Sequence, residues 1–201
     1  ANSSISLTKT CIEVSLGAPD EKQVSVEDYQ YDGGFLAPFF GRLASYNRRA
    51  NHLLLDNYRR LKDDEINAPR PAFFGSILAT LNHILVGDQA WLARLHGDPP
   101  PGRALDHILC HTLSALITAR ELQDDEITAY VKGLTELEFA ATIRYQNMSG
   151  VDFENSVSVV LTHMFNHQTH HRGQVHDMLS QTSVPPPELD FIFFIREASA
   201  S

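Results

Sequence analysis

The chain has 201 residues, 43% of them hydrophobic and 20% charged, a composition typical of one globular domain with a sizeable core. Its formal net charge of −9 would be repelled by phosphate backbones, which argues against nucleic-acid binding. No uncharged apolar run reaches about 18 residues, so we expect no membrane-spanning segment. Cys11 and Cys110 lack metal-type spacing, and no signal pattern is visible at the N-terminus. We therefore expect a cytoplasmic protein with two reduced thiols.

The N-terminal part of the chain differs in character from the rest. Residues 1–34 are rich in Ser, Thr, Asp and Val, and we interpret them as a poorly defined arm. Residues 35–201 are expected to form the domain. Apolar residues recur at helical spacing over 35–62 and predict a first helix, which Pro69 and Pro71 follow as helix breakers.

Two further helices are predicted in the middle of the chain. One fits residues 72–95, and another fits residues 105–133. Between them, residues 96–102 combine three prolines with two glycines and are predicted to form a loop.

The pattern changes from period 3.6 towards period 2 over residues 137–152, where Phe139, Ile143 and Tyr145 alternate with polar neighbours. This predicts a short strand or a hairpin that turns at Ser149-Gly150. A fourth long helix is predicted over 155–181, followed by a short apolar helical piece over 189–195. Four amphipathic helices with one long crossover predict an all-α four-helix bundle.

Histidine is the compositional anomaly, since five of the ten histidines fall within fourteen positions of the fourth predicted helix. On a helical wheel, His167 and His171 point to the apolar face, whereas His163 and Gln174 lie at its edge. A spacing of four residues places two rings on one helix face, close enough to share an ion. Neutral imidazoles bind zinc, nickel, copper or iron. Hydrogen bonds to neighbouring groups are the alternative explanation for two buried rings.

A third ligand has to come from another helix. His83 lies on a stripe of small residues in the second predicted helix, away from its main apolar face. That position also fits an exposed histidine on a polar edge. His52 in the first helix and His111 in the third are further candidates, and the local sequence excludes neither.

Several segments resemble the DinB/YfiT-like family. Residues 161–174, LTHMFNHQTHHRGQ, resemble the signature helix of the family, and residues 73–85, FFGSILATLNHIL, resemble its other motif. Residues 46–51 and 187–190 are similar as well. The resemblance runs from about residue 35 to residue 197 and leaves the N-terminal arm unexplained.

The resemblance implies a four-helix bundle, often a homodimer, with a divalent metal held by His83, His167 and His171. We expect zinc or nickel as the ion, with iron or manganese as further possibilities. The resemblance therefore selects His83 as the third ligand, which the wheel does not, and it agrees with the wheel on the other two.

Three imidazoles leave at least one coordination position open for water or a substrate. A bound water would become acidic, and a bound thiol would become a nucleophilic thiolate. The resemblance supports both a hydrolase and a transferase that uses a low-molecular-weight thiol, acting on a small-molecule substrate. The alternatives are a non-catalytic metal-containing stress or binding protein and a purely structural helical dimer. No nucleophile motif or glycine-rich phosphate loop is present.

Five other residues are candidates for supporting roles. Asn166, Gln174, His163 and Asp88 lie near enough in sequence to orient the ligand rings through their second nitrogens, although each also fits a capping or surface role. Arg172 follows the histidine pair and is expected near the rim. It is a candidate for binding an anionic substrate, with a salt bridge as the alternative.

Overall fold

The computed structural model describes residues 34–147 and 149–199. The predicted arm, residues 1–34, lies outside the described residues except for Gly34. In chain order the described elements are α1 Leu36–Tyr58, α2 Asp63–Asn67, α3 Ile77–His96, α4 Leu113–Gly133, α5 Glu136–Ala140, β1 Thr142–Gln146, β2 Asp152–Ser156, α6 Val157–Leu179 and α7 Phe191–Ser199. The expectation of a mostly helical protein is confirmed.

Two of the long helices begin later than the periodicity predicts. The helix predicted from residue 72 begins at Ile77, because the Ser76 side chain accepts a hydrogen bond from the Ala79 amide and caps it. The helix predicted from residue 105 begins at Leu113, where Thr112 caps it in the same way. Apolar spacing therefore extended both predicted helices into the loops before them.

The predicted hairpin is present, but it begins later and follows a short helix. Strands β1 and β2 pair antiparallel, with Thr142 opposite Ser156, and the turn includes Gly150 at φ 77°. Phe139, which alternation assigned to the strand, lies in α5 and is fully buried against Phe40. A reciprocal capping arrangement at Thr135 starts that helical turn, which overrides the alternating pattern.

The four long helices, α1, α3, α4 and α6, share one interior. Helix α1 packs against α4, α3 packs against α6, and α3 also contacts α4. Buried apolar side chains form two clusters, one that includes Leu54, Tyr58 and Leu85 and another that includes Phe40 and Met164. Burial of these side chains provides the main driving force for folding.

Charged side chains are also buried between the helices. The Arg120 guanidinium of α4 pairs with Asp88 of α3, and its Nη2 lies 2.9 Å from Oδ1 of Asp124 one turn further along α4. Asn51 of α1 donates from Nδ2 to the same Asp124 carboxylate at 2.9 Å. Burial raises the pKa of Asp88 to about 6, against the opposing effect of Arg120.

Helix α6 joins this group through two side chains. Arg172 donates to Oδ1 of Asn47 of α1, and Gln168 accepts from Asn51 at 3.3 Å. We call the seven residues the buried polar network: Asn47, Asn51, Asp88, Arg120, Asp124, Gln168 and Arg172. Two arginines balance two aspartates in it, which keeps its formal charge at zero.

Replacing Arg120 by Met should lower the free energy of unfolding by about 3–5 kcal/mol, because two buried carboxylates then lose their shared cation. Urea unfolding followed by circular dichroism measures the change. Arg42→Met is the matched control, since Arg42 is exposed, and it should change stability by less than about 0.5 kcal/mol. A loss below about 1 kcal/mol for Arg120→Met would contradict the role assigned to the network.

Candidate metal centre

Three histidine rings from two helices converge on one point. Nε2 of His83 on α3 lies 3.0 Å from Nε2 of His167 and 3.1 Å from Nε2 of His171, both on α6. The three ligand atoms all lie within 4.8 Å of one another. Two nitrogens that bind one ion at about 2.0–2.1 Å are at most about 4.2 Å apart, so the two measured distances fit a shared ion. Among the described residues, 34–147 and 149–199, these three histidines are the one group of at least three His, Cys, Asp or Glu residues whose ligand atoms lie close enough together to share an ion.

Hydrogen bonds at the far nitrogens fix the protonation of two rings. Nδ1 of His83 lies 2.8 Å from the carbonyl oxygen of Leu105, and Nδ1 of His171 lies 2.8 Å from Oε1 of Gln174. Both partner oxygens can only accept, so each Nδ1 carries the hydrogen. In the neutral rings Nε2 then carries a lone pair, which is the form that binds a metal.

The contact between His83 and His171 is therefore unfavourable without a positive charge. Their Nε2 lone pairs face each other at 3.1 Å, and neither nitrogen has a hydrogen to donate. His167 can relieve one contact by donating from its own Nε2 to His83, but this hydrogen bond leaves the other contact unchanged. A shared cation satisfies all three nitrogens, so the donor chemistry fits a divalent metal.

Burial keeps the three rings neutral near pH 7. It is the largest cause lowering the pKa of His167 to about 3, and the neighbouring His171 and His83 lower it further. Burial also lowers the pKa of His83 and of His171. Metal binding near pH 7 would therefore release few protons from these rings.

A glycine allows the close approach of α3 and α6 at this site. A Cβ atom on Gly87 would lie 3.1 Å from Cε1 of His167, tighter than an ordinary contact. Phe74 stacks on His83 with ring centroids 4.0 Å apart. These two contacts limit the movement of the His83 and His167 rings.

A cavity of about 410 Å³ lies beside the histidines. His83, Gly87 and His167 border it on one side. The rest of its wall comes from α3, from the β1–β2 hairpin, from His163 of α6 and from Leu105 of the loop before α4. We call it the aromatic cavity because its wall includes Trp91, Tyr145 and Phe153.

The supporting residues suggested by the sequence occupy different places. Gln174 forms a hydrogen bond with the His171 ring. The centroid of the His163 ring lies 5.9 Å from that of His167 and 4.9 Å from that of Trp91. Asn166 is exposed and lines a separate cleft between α1 and α6. Asp88 is paired with Arg120 in the buried polar network. The roles of these residues around a metal stay predictions.

The expected position of Arg172 near the rim is wrong. Its side chain is 3% exposed, because Asn47 of α1 provides an amide acceptor inside the protein. Contact of Arg172 with an anionic substrate stays a prediction. Of the two other histidines considered, His111 is exposed and His52 lies in α1, outside the cluster.

Sequence reasoning missed the groups that hold the His83 ring. The Leu105 acceptor is a backbone carbonyl in the loop before α4, and a backbone acceptor leaves no mark in residue type. The small-residue stripe around His83 did contain Gly87, but the sequence alone does not identify His167 as the ring that approaches it.

These features define a mostly helical protein with a histidine cluster that could hold a metal ion. A family model described as the DinB family matches residues 35–200, and the chain belongs to that family. This confirms the resemblance found in the motifs. The chain is also similar to Protein DinB of Bacillus subtilis strain 168, with 24% identity over 177 residues, which cover 80% of this chain and 95% of that relative. In the described part of the chain, no helix has both the length and the apolar character needed to cross a membrane.

Replacing Gly87 by Ala should weaken zinc binding about tenfold, because the new methyl group displaces the His167 ring. Competition with a chromophoric chelator measures the affinity. Gly173→Ala on α6 is the matched control: a Cβ there meets no atom within 4 Å, so the change affects the helix without moving a ligand ring. Equal zinc affinity for the two variants would contradict the close approach described here.

Proposed function

We propose that His83, His167 and His171 bind one divalent metal ion and that the protein is a metal-dependent enzyme of the thiol transferase or hydrolase class. Zinc or nickel is the proposed ion, with iron or manganese as further candidates. The observation that carries the proposal is the distance of 3.1 Å between the Nε2 atoms of His83 and His171, neither of which has a hydrogen to donate to the other. Hydrogen bonds from Nδ1 to the Leu105 carbonyl and to Gln174 keep the hydrogen of each ring on Nδ1 and leave the lone pair on Nε2.

The ion would supply Lewis acidity, which favours the deprotonated form of a thiol or water at neutral pH. The chain supplies orientation, since Leu105 and Gln174 fix two rings and Gly87 admits the third. The aromatic cavity would hold the small-molecule partner of the reaction beside these rings.

The position of the cluster favours a catalytic ion over a structural one. Structural zinc sites are closed by protein ligands, whereas catalytic sites keep a position open to substrate. Here two of the three histidines border a cavity of about 410 Å³. The apolar clusters and the buried polar network already join the long helices, so the fold has stabilising contacts apart from an ion.

The proposal also covers the assembly. The mutual contacts of α1, α3, α4 and α6 support a four-helix bundle with a long crossover. Membership of the family supports a homodimer, through the resemblance noted in the sequence. Light scattering on the full chain measures its mass in solution.

Metal analysis of protein purified without a histidine tag tests the site. We expect about one ion per chain after exposure to zinc or nickel, and less than about a tenth of an ion in His171→Ala. His111→Ala is the control, because it removes an exposed histidine outside the cluster. Wild-type protein that holds less than about a tenth of an ion per chain under these conditions would overturn the proposal.

Thermal melting and turnover assays then separate a catalytic ion from a structural one. For a catalytic ion, His171→Ala should melt within a few degrees of the metal-free wild type while losing turnover. Turnover is assayed with small thiols plus electrophiles, and with simple esters and amides. An ion whose loss unfolds the protein, combined with no turnover on any of these compounds, would favour the non-catalytic alternative.

A further inference from the structure

We propose that the aromatic cavity binds a small aromatic anion, with the ring held by Trp91, Tyr145 and Phe153 and the negative charge attracted by Arg94. As an assignment of substrate class this rests on the proposed function. As a claim about ligand binding it rests on the cavity alone. Experiments can therefore disprove the binding claim and the proposed metal-dependent activity separately.

The ring preference follows from the wall of the cavity. Trp91 of α3 meets Tyr145 of β1 edge to face, with ring centroids 5.3 Å apart. Tyr145 in turn stacks on Phe153 of β2, with centroids 6.0 Å apart and planes inclined by 21°. Phe153 is 43% exposed, so part of its surface remains available to another ring. Aromatic surfaces at these separations favour a flat ring over an aliphatic group of similar size.

The charge preference follows from what lines the cavity. The chain has 25 acidic residues, yet none of the described residues that line the cavity is acidic. The charged and titratable residues of this lining are Arg94, His83, His163, His167 and Tyr145, and none of them carries a negative charge at neutral pH. Arg94 is 6% exposed and donates from Nε to the Gln146 carbonyl at 3.2 Å. A positive charge held in a poorly hydrated wall attracts anions more strongly than one in open water.

Arg94 is also held against the aromatic wall. Its guanidinium carbon lies 4.5 Å from the centre of the Trp91 ring and 5.4 Å from that of Tyr145. These cation–π contacts join the charge and the rings into one surface. An aromatic anion is the ligand class that complements both features together.

The size of the cavity sets the scale of the ligand. A volume of about 410 Å³ is at the lower end for small-molecule sites, which suits one or two rings. The lining of the cavity includes His83 and His167 themselves, so a ligand bound there lies next to two of the three rings.

Trp91 provides a direct test, because it is the single tryptophan of the chain and lines the cavity. Its fluorescence is followed during titration of the full chain with three probes: benzoate, neutral benzyl alcohol and non-aromatic cyclohexanecarboxylate. Excitation at the red edge of tryptophan absorption avoids absorption by the probes. We expect saturable quenching by benzoate and at least about fivefold weaker binding of each of the other two, since each lacks one recognised feature.

A matched pair of variants locates the binding. Phe153→Ala should weaken benzoate binding at least about fivefold. Phe193→Ala makes the same change at a similarly exposed position on α7, away from the cavity, and should leave the affinity unchanged. Benzoate that produces no saturable change would overturn the proposal. So would equal effects of the two variants, or binding of cyclohexanecarboxylate as tight as that of benzoate.

Metal content separates this inference from the proposed function. Each titration is run on metal-free and on zinc-exposed protein, and bound zinc is measured in both samples. Benzoate binding to the metal-free protein, with the expected order of probes, supports the cavity assignment even where no zinc is taken up. Zinc uptake without benzoate binding supports the metal site and overturns the inference.

Discussion

The guanidinium of Arg120 lies between two buried carboxylates, those of Asp88 and Asp124, and the arrangement of the long helices depends on this charge balance. An unpaired charge in the interior costs several kcal/mol. Helices α3 and α4 therefore cannot shift along each other by a turn without leaving a charge unpaired. Asn51 extends the constraint to α1 through its hydrogen bond to Asp124, and Gln168 extends it to α6.

The same constraint reaches the histidine cluster through adjacent positions on two helices. Successive residues on an α-helix point about 100° apart. Asp88 follows Gly87 on α3, and Gln168 follows His167 on α6. The second residue of each pair joins the buried polar network, while the first lies at the histidine cluster. The network thus fixes the rotation of both helices, and the approach of His167 to Gly87 follows from it.

Local pattern was enough to place some of the site, and its limits are physical. Spacing of four residues put His167 and His171 on one helix face, and the structure brings both to the cluster. His83 could not be chosen on its own helix, because the partner that defines its direction lies on α6, 84 residues away. Arg172 was misplaced for a similar reason, since its acceptor Asn47 lies 125 residues away. Helix beginnings were misjudged because capping side chains, rather than apolar spacing, set them.

The hydrogen bond from His83 to the Leu105 carbonyl ties the loop between α3 and α4 to the histidine cluster. By linkage, any ligand that favours this orientation of the ring also favours this conformation of the loop, and by the same free energy. The length and sequence of the loop around Leu105 would therefore influence metal affinity at the histidine cluster, although the loop contributes none of the three histidines. A change in this segment alone would therefore alter the affinity of the proposed metal site, even with all three histidines kept.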